Sequence, residues 1–101
     1  MAKRKAEYIS YQEQDKLMKR FCHTLVELRT EDAFFRFLKD LLNRQERLML
    51  IRRLQIASML EAGQSYAEII KKLHCGPPTI ARVARWLRFS RDGLKDAIKK
   101  S

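Results

Sequence analysis

Only three glycines and two prolines interrupt 101 residues. An all-β chain needs frequent turns, so this scarcity of turn formers excludes that class. Long apolar runs are missing too: none approaches the roughly 18 residues of a membrane span, and no membrane association is expected. The two cysteines, Cys22 and Cys75, are too few for a disulfide framework. Both are expected as reduced thiols in a core. Met1-Ala2-Lys3-Arg4-Lys5 has the positive start of a secretory leader, but polar Glu7, Ser10 and Gln12 stand where its apolar stretch would be. A soluble, cytoplasmic protein is the expectation. There is no Gly-rich phosphate loop, no Ser-His-Asp set and no carboxylate pair beside an apolar pocket, so neither catalysis nor a cofactor is expected. Cys22-His23 and His74-Cys75 are adjacent pairs, whereas zinc takes about four converging ligands, so no metal site is expected.

Acidic residues are the other deficit. Lys and Arg number 22 against 12 Asp and Glu, a net charge of +10. Residues 31–65 are almost neutral, while residues 66–101 carry nine basic and three acidic side chains. A neutral middle beside a basic final third implies a scaffold joined to a surface that meets polyanions. With 46% apolar and 34% charged residues the chain has material for a core.

Helix signals fill the length. Ser10 and Glu13 fit a capping box. Leu17, Met18, Phe21, Cys22, Leu25 and Leu28 follow at helical spacing, giving a helix over about 11–28. Thr30 caps the next, with Glu31 and Asp32 at its positive end. Asn43 and Glu46 open a third, which runs to about Ala62 before Gly63. Its apolar residues, Leu48 to Ile51, Leu54, Ile56, Ala57, Met59 and Leu60, go nearly all round, so it is expected to be buried nearly all round. Few other elements exist to surround it, and a second copy of the chain is expected to supply the cover.

Ser65 and Glu68 start a short helix ending near Leu73. His74-Cys75-Gly76 makes a tight connection. Pro77 and Pro78 lack backbone donors, which costs little in a first helical turn. A second helix continues to about Phe89. This is the helix-turn-helix arrangement. Ile69, Leu73, Cys75, Ile80 and Val83 are expected to face inward. The free side carries Thr79, Ala81, Arg82 and Arg85, small and cationic residues suited to a major groove. Ser65, Lys71, Lys72, Pro77 and Pro78 complete the expected DNA-binding set. Either His74 or Gly76 takes the strained turn position.

Asn43-Arg44-Gln45-Glu46-Arg47, Arg53-Leu54-Gln55-Ile56, Leu60-Glu61-Ala62-Gly63-Gln64-Ser65 and Gly76-Pro77-Pro78-Thr79-Ile80-Ala81-Arg82 together resemble the Trp repressor family. Over about residues 30–90 the chain looks most like the short Trp-repressor-like proteins of Gram-positive bacteria. The resemblance implies an all-α, intertwined dimer with about six helices per chain. It also implies two helix-turn-helix units spaced for successive major grooves, about 34 Å apart. It places Arg53, Thr79 and Arg82 at the family's tryptophan pocket. Val83 and Trp86 stand where tryptophan-responsive members carry Gly and Ser, and their bulk is expected to fill that pocket. L-tryptophan is therefore not expected to act. Trp86 is read as a core aromatic, the alternative being that it supplies an indole permanently.

The expected organisation is a flexible basic arm over 1–9 and a single helical domain over 10–101. Within the latter, 10–63 is a dimerisation core, 64–89 the helix-turn-helix and 90–101 a closing helix with Leu94, Ala97 and Ile98 on one face. The leading expectation is a homodimeric, sequence-specific regulator that binds double-stranded DNA. The alternative is a basic adaptor that docks on an acidic protein.

Overall fold

The structure is a computed structural model that describes residues 8–89 and 92–100. The basic arm up to residue 7, and Ser90, Arg91 and Ser101 of the expected closing segment, lie outside the described residues. Those described form six helices and no strand. The chain divides into two compact units, Met1–Leu41 and Leu42–Ser101.

The first unit holds α1 (Tyr11–Leu28) and α2 (Glu31–Leu41). The Glu13 N–H donates to Ser10 Oγ at 3.1 Å and fixes the start of α1. Arg29 ends it in the left-handed region at φ 63°. The Thr30 hydroxyl then accepts from the Ala33 N–H at 3.1 Å and opens α2. The two helices meet through the rings of Phe21 and Phe37, 6.2 Å apart and tilted. Two helices cannot enclose each other, and neither has a fully buried residue. Met18, Val26 and Phe35 are exposed. So is Cys22, contrary to the expectation of a core thiol; its side of α1 has no neighbouring element in this unit to cover it.

The second unit holds α3 (Arg44–Glu61), α4 (Tyr66–Leu73), α5 (Pro77–Phe89) and α6 (Gly93–Lys100). Its core is Ile56 and Ala57 of α3, Ile69 of α4, Cys75, and Ile80, Val83 and Leu87 of α5. Leu94 and Ile98 of α6 pack against this cluster. Ala97, one helical step after Leu94, is exposed all the same; its methyl is too short to reach the cluster that Leu94 and Ile98 touch.

Capping boxes open α3 and α4. Asn43 N–H donates to Glu46 Oε1 at 2.9 Å, and Glu46 N–H returns to Asn43 Oδ1 at 2.9 Å. Ser65 N–H donates to Glu68 Oε1 at 3.0 Å, and Glu68 N–H returns to Ser65 Oγ at 3.2 Å. Gly63, at φ +82°, ends α3 where a side chain would be strained. The Ser65 backbone N–H, helped by its hydroxyl, holds the Glu68 carboxyl below its usual pKa. A depressed carboxylate pKa stabilises the fold above the unfolded value, and the contribution is lost as pH falls through the folded value. Glu68→Gln keeps an acceptor that does not titrate. Urea midpoints of the parent are therefore expected to fall more than those of Glu68→Gln between neutral pH and about pH 3.

The α4–α5 connection is short because His74 turns into the left-handed region at φ 56°, ψ 37°. Its N–H still donates to Ile70 O at 2.8 Å. His74, not Gly76, therefore takes the strained position. A side chain at positive φ costs about 1–2 kcal/mol, and glycine's extra unfolded-state freedom offsets part of that. His74→Gly is expected to stabilise by about 0.5–1 kcal/mol, read as a higher urea midpoint at unchanged slope.

Candidate nucleic-acid interface

The geometry of α5 follows from its heptad-like pattern of inward residues. Ile80, Val83 and Leu87 are buried, so the opposite side of the helix is turned to solvent. Pro77, Pro78, Thr79, Ala81, Arg82 and Arg85 are all exposed there. Arg88, which sequence reasoning passed over, is exposed too and lies 5.9 Å over the Phe89 ring. Its signal was available: it completes a run of three arginines on a helix that contains no acidic residue.

The tip of α5 is short of backbone donors. Pro77 and Pro78 have none, and the Thr79 and Ile80 N–H groups both donate to Gly76 O, at 3.1 and 3.4 Å. Polar contacts to an anion at this end must come from side chains. On α4, Ser65 is exposed but its hydroxyl is engaged in the cap. Lys71 and Lys72 are exposed in the last turn of α4, where cations suit the negative helix end.

The pocket candidates come together. Arg53 of α3 and Thr79, Arg82, Val83 and Trp86 of α5 line one open cleft of about 490 Å³. Arg52, Met49 and Glu46 of α3 line it as well and were missed. Met49 stands three residues before Arg52 and four before Arg53, one helical turn in each case, which was the signal that would have found them. The expectation that Val83 and Trp86 fill this space is corrected: they do not close it. Val83 directs its bulk into the core at 1% exposure. Trp86 is half-buried and forms one wall, with the Arg53 guanidinium carbon 4.8 Å from its ring centre. Trp86 thus packs on the core and faces the cleft at once.

Fold and surface together define an all-helical chain whose final third presents a cationic helix after a three-residue turn. The family described as Trp repressor protein matches residues 16–101. The chain belongs to the Trp repressor family, which points to a DNA-binding regulator and not to an enzyme. It is similar to a Bacillus subtilis (strain 168) protein described as uncharacterized protein YerC. The two are 30% identical over 78 residues, which is 77% of this chain and 75% of that protein. No solved structure matches the chain significantly. Among the described residues no helix is long and apolar enough to cross a membrane.

Proposed function

We propose that the chain is a cytoplasmic, sequence-specific double-stranded DNA-binding transcriptional regulator that acts as an intertwined homodimer and is not gated by tryptophan. The observation that carries the reading is the outward side of α5, where Pro77, Pro78, Thr79, Ala81, Arg82 and Arg85 are exposed on a helix without an acid. In this reading α4, the turn and α5 form a helix-turn-helix. Lys71, Lys72 and Ser65 lie against phosphates, and the α5 side chains meet base edges. Residues 64–89 then do the reading, 10–63 the dimerisation, and 90–101 close the fold.

Dimerisation is supported by α3. Sequence periodicity predicts a helix buried nearly all round, yet within one chain only Ile56 and Ala57 of α3 are buried. Leu48, Met49, Leu50, Ile51 and Leu54 are 45–53% exposed. Large apolar side chains left half-exposed on several sides of one helix mark an interaction surface, and a second copy covers it. Tryptophan independence rests on the sequence reading of Val83 and Trp86, since the cleft they line stays open.

The test is selection of bound fragments from random duplex DNA with the purified chain. An enriched two-fold-symmetric motif is expected, with light scattering giving twice the 12.0 kDa chain mass. L-tryptophan is expected to leave affinity unchanged and to release no heat. Binding without any sequence preference at physiological salt would favour the adaptor instead.

A further inference from the structure

The residue that turns the chain from α4 into α5 is strained. His74 lies in the left-handed region at φ 56°, ψ 37°, while Gly76, two residues on, does not use its freedom of φ. A glycine at 74 would remove the strain. The imidazole gives the fold nothing in return. It is exposed, and among the described residues its ring makes no hydrogen bond and no ion pair. A strained backbone position whose side chain serves no contact within its own chain points to a contact outside it.

The elements packed around that turn offer the ring cations and neutral groups. From Ile69 to Arg91 the chain has no acidic residue. On α4 the nearest charges are Lys71 and Lys72, both exposed, while Glu68 is committed to the Ser65 cap at the other end. Where α3 borders Lys72 and Leu73 it offers Leu54, Gln55, Ser58 and Met59, none of which is charged. On α5 the first charge is Arg82, after uncharged Pro77, Pro78 and Thr79. A further cation beside Lys71 and Lys72 is therefore matched by an anion from outside, and a duplex supplies one at every phosphate. Histidine is the side chain whose ordinary titration, at about pH 6.5, falls within the physiological range.

We propose that His74 is a phosphate contact that carries its charge only when protonated, so that the chain binds duplex DNA with uptake of protons and holds it more tightly as pH falls. This rests on the DNA-binding reading above. On binding, one proton passes from solvent to the imidazole of each copy, and it returns to solvent on release. Phosphodiesters stay ionised throughout this range, so the change of charge belongs to the protein. The sign follows from linkage: a complex that holds more protons than its separate parts is favoured by acid. The left-handed turn then has a use, because it sets a pH-dependent cation between the permanent charges of Lys71 and Lys72 and the tip of α5.

The experiment measures the affinity of the full chain for the duplex selected by the parent, at about pH 8 and about pH 6 and at constant ionic strength. The parent is expected to bind about fivefold more tightly at the lower pH for each imidazole engaged, the upper end for an exposed ion pair. Its log affinity is also expected to fall more steeply with log salt there, by about one per imidazole. His74→Gly and His74→Asn suit the left-handed turn and cannot be protonated in this range. Both are expected to lose the rise and the steeper salt slope. His74→Lys, charged throughout, is expected to lose the rise by binding tightly at both pH values. The other histidine, His23, lies on α1 beside Glu27, and His23→Gln is expected to keep the parental rise. Equal affinity of the parent at both pH values overturns the inference. So does a rise that survives in His74→Gly, since a merely structural His74 gives that result. His74→Gly is expected to be the more stable chain, and it decides if another variant does not fold. A parent that selects no duplex removes the DNA-binding reading and this inference together; a parent that selects one and is indifferent to pH removes this inference alone.

Discussion

Ile80→Ala is expected to cost about 2–5 kcal/mol of folding stability, the range for deleting a fully buried aliphatic side chain together with the cavity it leaves. Ile80 is 0% exposed and sits in the cluster where α3, α4 and α5 converge. It follows the turn by one helical step, so its loss loosens the α4–α5 pair as well as the core. A small domain has about 5–15 kcal/mol of net stability in all, so the deficit is a large fraction of the total. Urea unfolding followed by circular dichroism measures it. A shift below about 1 kcal/mol would mean that the core is organised around other residues. DNA affinity is expected to fall in parallel, since α5 is then held by fewer fixed contacts.

Arg82→Ala is expected to leave folding nearly intact and to weaken binding to the selected duplex by about 1–3 kcal/mol, roughly 5- to 150-fold. Arg82 is exposed, on the outward side of α5 and at the rim of the cleft. A guanidinium there offers forked donors to a base edge, and alanine offers none. Lys72→Ala supplies the contrast. Its ammonium, in the last turn of α4, is expected to meet phosphate only. That variant should bind all duplexes about equally less well, with the slope of log affinity against log salt reduced by about one. Equal effects of the two substitutions on specific and random duplexes would remove Arg82 from sequence reading. Full affinity in Arg82→Ala would remove this side of α5 altogether.

Much of the scaffold was legible in the residues. Ser10, Thr30, Asn43 and Ser65 are helix caps in the structure as their side chains and spacing imply. Gly63 ends α3 at positive φ. Ile69, Cys75, Ile80 and Val83 are buried and Arg82 and Arg85 are not. Other points were less legible. Cys22 follows the apolar stripe of α1, but a stripe states only what seeks cover and not whether cover exists within the unit. The choice between His74 and Gly76 for the left-handed position turned on where α4 runs out. Both residue types tolerate that region, so composition alone left it open.

The sequence by itself determined where helices begin and end, which side of α5 is apolar, and that the final third is cationic. Caps, turn residues and side-chain period act over a few neighbouring residues, and such information is local by nature. Only the tertiary structure decided that Trp86 becomes a wall of the cleft and that Arg53 lies over its ring. Those facts depend on how α3 and α5 pack, and packing joins residues far apart in the chain. It is set by the shapes of whole faces, which no short stretch of sequence contains.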